Sequence, residues 1–256
     1  MSGAPWTVEA IYRHPVKSLG SEALESVSVQ PGGTLPHDRT WAIAHGGAWD
    51  ASNPAWMGGS AKMVSTSSAP RLAQVITRLE ETTGSVHLAH PDLGELSVQP
   101  SDPLHHPVLT NWIKPLLEGT GRKGPFQVCE APGVAFTDFE DTHVSIATCN
   151  SLRALEQHVG QSLEDSRFRM NLWLEGPAPW SELDWVDRDV EIGEVRLKVI
   201  ARDARCNATN ANPATGKRDT QIPGLLRKIF GHMDFGVYAQ VTRGGSIARG
   251  DTAQLI

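Results

Sequence analysis

Apolar and polar residues alternate with a period of two along most of this chain, in short runs closed by Gly, Pro or Ser, the pattern of half-buried strands. In the first half the runs are WTVEAIYRHPV, ALESVSVQP, TWAIAHG, RLAQVITRLE, SVHLAHP and GELSVQP. In the second half they are RMNLWLEG, DVEIGEVRLKVIARD, FGVYAQVTRGG and DTAQLI. Three segments switch to helical spacing. PVLTNWIKPLLEG (107–119) is the first. In NSLRALEQHVG (150–160), Leu152, Leu155 and Val159 recur on one face, with Asn150 or Ser151 placed to cap the start. IPGLLRKIFG (222–231) is the third, with Pro223 tolerated in its first turn. The expectation is a mainly-β chain of the α+β kind with a few helices. GPAPWSELDWVDRD reads as a loop between strands, and the Gly- and Pro-rich stretch 117–133 as a linker.

Composition narrows the class. A chain of 256 residues permits one large domain or two small ones, with a sizeable core either way. Its formal net charge of -6 leaves no basic footprint for nucleic acid at the level of the whole chain. No apolar run approaches the length that spans a bilayer. The N-terminus lacks the basic-then-apolar form of a signal peptide, so a cytoplasmic location is expected. Cys129, Cys149 and Cys206 form no CxxC pair, which fits a reducing compartment and argues against a disulfide scaffold or a cysteine-rich zinc site.

Cys206 stands out in ARDARCNATNANPATGKRD (201–219), where its neighbours are polar rather than core-like. Cationic groups favour the thiolate, which is both a nucleophile and a soft metal ligand. Arg202 and Arg205 are near in sequence, though at a strand end the direction of Arg205 is open; an inert, partly buried cysteine is the plainer alternative. In HPVKS (14–18), Lys17 and Ser18 could hold a phosphate, or form an ordinary surface turn. In HDRTW (37–41), Arg39 suits bidentate anion recognition, or an ion pair with Asp38. In RFRMN (167–171), strand alternation puts Arg169 and Asn171 on one face, either a site wall or a solvated face. In TCNS (148–151), Thr148 and Ser151 precede a helix whose free N–H groups bind an anion or are simply capped. The ten histidines are scattered, and P-loop, G-x-G-x-x-G and G-x-S-x-G motifs are absent.

Taken in order, RFRMNLWLEG, WVDRDVEIGEVRLKV, ARCNATNANPATGKRD and FGVYAQVTRGGSIARGD resemble the MOSC domain, named for the C-terminal domain of molybdenum-cofactor sulfurases. YRHPVKS and LPHDRTWAI resemble the β-barrel region that often precedes it. The resemblance implies an N-terminal MOSC-associated β domain over 1–120 and a MOSC-type β-barrel domain over 121–256. Within that family the two-part chain is similar to amidoxime-reducing molybdenum proteins. It implies a molybdopterin cofactor, with Cys206 as the protein sulfur on molybdenum and the catalytic residue. Lys17, Ser18, Arg39, Arg169 and Asn171 would hold the pterin and its phosphate, with Thr148 and Ser151 lining the same pocket. Thr209, of the RC-x-x-T segment, would support the turn or the cofactor.

The implied reaction is two-electron reduction of an N-hydroxylated small molecule, whose oxygen leaves as water. The chain lacks the spaced cysteines of an iron–sulfur cluster, so electrons would come from a separate ferredoxin- or flavin-type donor protein. Cys149 within TCNS and the loop PAPWSELDW depart from the expected pattern and leave the substrate open. The alternative is a sulfur carrier with a persulfide on Cys206; a storage protein or a plain interaction module are weaker readings. Oligomeric state is open.

Overall fold

Fifteen strands and three α-helices form among residues 5–59 and 61–256, the residues that this computed structural model describes. The first half runs β1 (Trp6–Arg13), β2 (Glu22–Leu24), β3 (Ser26–Val29), β4 (Trp41–Ala44), β5 (Ile76–Glu80), β6 (Ser85–His90), β7 (Gly94–Val98), α1 (His106–Leu117) and β8 (Gln127–Glu130). The second runs β9 (Val144–Thr148), α2 (Cys149–Val159), β10 (Leu172–Glu175), β11 (Asp189–Ile192), β12 (Val195–Ala204), α3 (Ile222–Phe230), β13 (Asp234–Arg243), β14 (Gly245–Ala248) and β15 (Thr252–Leu255). The expected mainly-β architecture with three helices is what forms. No helix among the described residues is long and apolar enough to cross a membrane.

Seven strands close a barrel in the order β10–β9–β13–β12–β11–β15–β1, because β1 also pairs with β10. Its interior is aliphatic, with Ile11, Val144, Ile146, Leu172, Leu197 and Val237 fully buried. Val8 and Ile11 are three residues apart yet both buried, since a bulge between Val8 and Ala10 resets the pleat of β1. A second core lies between β4–β8, the β5–β6–β7 meander and α1, and contains Leu72, Val86, Leu88, Leu109 and Ile113. The chain threads from the first barrel strand straight into this second core at Val16 and Leu19. His14 to Ser18 therefore lie where the two cores meet.

Several local expectations change. The run 71–80 is not one strand: Pro70–Gln74 form a 3-10 turn, as a Pro at its start allows, and β5 begins at Ile76. ALESVSVQP splits at Glu25 into β2, which pairs with β1, and β3, which pairs with β14. Within 117–133, β8 pairs with β4 in register Trp41↔Glu130, so the Gly-rich part is a connection and the rest is sheet. The α2 cap is Thr148, whose hydroxyl accepts from the Ser151 N–H at 3.3 Å, not Asn150 or Ser151.

Gly236 in β13 takes φ +79°, and an added Cβ there would lie 2.5 Å from Met170 Cε and 2.7 Å from the Ile146 carbonyl oxygen. Gly236→Ala is expected to lower unfolding stability by about 2 kcal/mol or more, from strain plus overpacking. A denaturant titration checks this, and an unchanged midpoint would contradict the packing of β13 on β9.

Candidate functional site

The candidate site is a pocket of about 300 Å³ between the two halves of the chain. From the first half it takes Lys17, Ser18 and Arg39, together with Ser65 and Ser67, and from the connection between β8 and β9 it takes Asp138. From the second it takes Arg169, Asp203, Arg205, Cys206 and Tyr238. Thus Lys17, Ser18, Arg39, Arg169 and Cys206 converge, although up to 189 positions separate them in sequence.

Backbone bonds set the first-half wall. Lys17 N–H donates to the Trp41 carbonyl at 2.7 Å, and Arg39 N–H to the His14 carbonyl at 2.7 Å. The two turns are thereby laid side by side. His14 and Asp38 are buried beneath them, with the His14 N–H donating to Asp38 Oδ1 at 2.8 Å. Burial, reinforced by the charges of Arg39 and Arg169, lowers the His14 pKa to about 3, so its ring stays neutral. Burial alone would raise Asp38, but Arg39 and His14 outweigh it and hold the carboxyl below its usual range. In the second-half wall, β12 is bulged between Val199 and Ala201 and again between Arg202 and Ala204. These irregularities leave Asp203 buried and bring Arg205 and Cys206 to the pocket.

Most of the charges are internally paired. Lys17 Nζ donates to Asp138 at 2.7 Å and to the Phe136 carbonyl at 2.8 Å. Burial lowers the Lys17 pKa, and Asp138 partly restores it. Arg39 is paired with Asp38 and donates from Nη2 to the Arg169 carbonyl at 2.6 Å. Arg205 is paired with Asp203, which also accepts from Tyr238 OH at 2.8 Å, and its guanidinium lies over the Phe168 ring. Burial raises Asp203, against the pull of Arg205. Arg169 is different. Among the described residues it makes no ion pair, and its Nη2 is buried without a hydrogen-bond partner. Burial and the nearby Arg39 bring its pKa down to about 9, so it remains a cation at neutral pH whose charge an added anion would stabilise. Cys206 is exposed, whereas Cys129 is buried and Cys149 half-buried. Burial raises both of those thiols to about 12, which keeps them protonated.

Ser18 (φ 65°), Arg39 (φ 52°) and Arg169 (φ 54°) all adopt the left-handed region, which is uncommon for residues with a side chain. Three of the pocket's candidate residues thus sit on strained backbone.

Other expected site residues lie elsewhere. Arg169 and Asn171 do not share a strand face: Asp165–Phe168 form a 3-10 turn, Arg169 closes it, and β10 begins only at Leu172. Asn171 is buried as a barrel clamp, its Oδ1 accepting from Ser145 N–H at 3.1 Å and its Nδ2 donating to the Tyr12 carbonyl at 3.1 Å. Thr148 and Ser151 do not line the pocket. They donate to the buried carboxylate of Glu182, at 3.2 and 2.8 Å. Thr209 donates to the Cys206 carbonyl at 2.9 Å and so braces the turn that carries the thiol. The lining residues that sequence reading missed include Ser65, Ser67, Asp138, Asp203 and Tyr238. Asp203 and Arg205 are two apart on a strand end, and that spacing was a usable signal. Asp138 gave none, being 121 residues from Lys17.

Barrel, second core and pocket together define a two-part β protein with a cationic cleft beside an accessible thiol. The MOSC domain model matches residues 123–254, and the MOSC N-terminal beta barrel domain model matches residues 6–112; the chain belongs to the MOSC domain family. A molybdenum cofactor sulfurase of Drosophila willistoni is 32% identical over 90 residues, which span 35% of this chain and 11% of that protein. The YuaD protein from Bacillus subtilis is similar over 99% of this chain and 97% of its own, at 11% identity and a TM-score of 0.48. YiiM from Geobacillus stearothermophilus is similar over 44% of this chain and 53% of its own, at 18% identity and a TM-score of 0.35.

Glu182 gives the neighbourhood of the site a pH signature. Burial raises its pKa to about 7 despite the bonds from Ser151 and Thr148, and its Oε1 has no partner. Unfolded, the group titrates near its ordinary 4.5. The folded chain therefore holds an extra proton between these values, and the associated stability is fully present below about 4.5 and lost as pH rises through about 7. Glu182→Gln is expected to gain stability relative to the parent at pH 8 compared with pH 5. Denaturation midpoints at the two pH values test this; an offset independent of pH would contradict it.

Proposed function

We propose that this pocket holds a molybdenum–molybdopterin cofactor and that the protein reduces N-hydroxylated small molecules, with electrons supplied by a separate ferredoxin- or flavin-type protein. The observation that carries the reading is Arg169, an unpaired cation on strained backbone beside an exposed thiol. An anionic pterin phosphate suits such a cation. Among the described residues no three His, Cys, Asp or Glu converge to hold a metal. A metal at Cys206 therefore has to bring its other ligands with it, as molybdopterin does through two sulfurs. The residues fit the group.

Cys206 would supply the protein sulfur to the metal. Arg169 and the third donor position of Lys17 Nζ would bind the phosphate, and the hydroxyls of Ser18, Ser65 and Ser67 can donate to pterin or phosphate acceptors. Arg39 serves as a positioning residue, holding the Arg169 carbonyl so that the Arg169 side chain stays in the pocket. Thr209 fixes the Cys206 turn. Once bound, the cofactor supplies two-electron redox chemistry, which with two protons converts an N–OH compound to N–H and water. Tyr238 is kept protonated by burial and by Asp203, to which its one O–H is already donated, so it does not act as a base.

The exposure of Cys206 also favours a second reading, in which the thiol carries a persulfide and hands sulfur to a client. Turnover separates the two. With a chemical reductant, the parent should reduce an amidoxime, and Cys206→Ala should lose that activity while keeping its fold. Arg169→Ala should release cofactor more readily, by roughly the 1–3 kcal/mol of an unpaired buried acceptor. Full activity in Cys206→Ala would rule out both the ligand role and the carrier role of Cys206. A persulfide on Cys206 with no reduction by the parent would favour the carrier.

A further inference from the structure

A second cavity of about 650 Å³ abuts the Cys206 pocket. The two share Arg167, Arg169 and Ala208 as a common wall. On the first-half side, Thr66 borders the second cavity while Ser65 and Ser67 border the first, so one short run separates them. The volume lies within the range of small-molecule sites, roughly 300–1,000 Å³.

Its lining is mostly small and apolar, with Ala73, Val75, Ile76, Ala89, Ala211 and Pro213. Ile76 is 68% exposed, a large apolar residue left open at the rim. The roof is the P-x-T-G turn, to which the chemistry at Cys206 gives no role. Gln74 Nε2 donates to the Ala214 carbonyl at 3.0 Å, and Arg218 Nη2 to the Ser67 carbonyl at 2.7 Å, tying this turn to the first half of the chain. Gly216 is required there: its φ is +65°, and an added Cβ would lie 2.3 Å from Gln74 Oε1. The turn is thus a built lid edge, not a loose loop.

Among the described residues, two charged groups lining the cavity have no ion pair, Glu95 and Arg169. Arg167 is paired with Glu164 and with both oxygens of Asp219. His90 accepts from Asp92 N–H through Nδ1 at 3.1 Å, and burial lowers its pKa, so it is neutral. Glu95 lies on the exposed rim. Arg169 remains, unpaired and shared with the Cys206 pocket. A pterin ring carries donors and acceptors on most edges, and walls of Ala, Val, Ile and Pro would leave them unsatisfied.

We propose that this cavity binds a small organic anion, an apolar aryl or alkyl body carrying one anionic head, and seats that head next to Cys206 on Arg169, whose five N–H donors serve the cofactor phosphate on one side of the shared wall and this head on the other. As the site of the molecule processed at Cys206, the proposal rests on the function proposed above; as a binding site, it does not.

Anilinonaphthalene sulfonate, an aryl body with one sulfonate, and its uncharged relative N-phenylnaphthylamine are the probes. Fluorescence titration of the folded protein should show tighter binding of the sulfonate. Ala73 and Ala89 line this cavity and not the Cys206 pocket. Ala73→Trp and Ala89→Trp should each weaken both probes by about tenfold or more, a loss of ~1.4 kcal/mol, without changing molybdenum content. Arg169→Gln should abolish the preference for the sulfonate while leaving the neutral probe bound. Unchanged binding in both filled variants, or an unchanged preference in Arg169→Gln, would overturn the proposal. A parent that lacks molybdenum yet shows the full probe pattern would support the cavity and sink the reductase. A parent that holds molybdenum but fails the probe pattern would do the reverse.

Discussion

The guanidinium of Arg39 reaches from the first half of the chain to the carbonyl oxygen of Arg169 in the second, 2.6 Å away, while its other terminal nitrogen stays on Asp38. Asp38 is itself held by the His14 backbone, and Phe136 N–H donates to the Arg39 carbonyl at 2.8 Å. Side chain and backbone of Arg39 thus tie together the turn after β1, the turn before β4, the loop that carries Asp138, and the corner before β10. A charge-assisted bond of this kind, half-buried, is worth more than a surface pair. Its larger consequence is geometric. It uses the backbone of Arg169, not its side chain, so the Arg169 guanidinium is left in the pocket with no internal partner.

That surplus gives the pocket its character. Lys17, Arg39 and Arg205 each have a carboxylate, in Asp138, Asp38 and Asp203. These pairs keep the cluster of cations from repelling itself apart, and they make a local basic site inside a chain of formal net charge -6. Arg169 adds the one charge that is not cancelled. Holding it costs backbone strain at Ser18, Arg39 and Arg169, a cost of about 1–3 kcal/mol per residue that the packed cores on either side must offset. Strain gathered where an unpaired cation meets an exposed thiol is the expected signature of a binding site.

The architecture was readable because strand alternation and helix periodicity are local. The helices fall within a residue or two of their expected bounds, and the barrel strands begin near the expected residues except β9, which was not expected because its run of buried residues shows no alternation. Where the reading failed, tertiary partners had overruled local pattern. Phe168 and Met170 alternate with Arg169 as a strand would, yet Arg39 captures the Arg169 carbonyl and the chain turns there instead. Asn171 looked like a site residue because it is polar beside a strand; its amide instead stitches Ser145 and Tyr12 into the barrel. Thr148 and Ser151 looked like anion donors at a helix start, but Glu182 occupies them, and nothing near them in sequence announced it. Asp138 and the Ser65–Ser67 run were illegible for the same reason: each joins the site through folding alone.

The most direct test of this account is molybdenum per chain, by elemental analysis, in the parent protein purified from a host that makes the cofactor. The account predicts a near-stoichiometric content, retained through purification. Protein that emerges folded and free of molybdenum from such a host would contradict it.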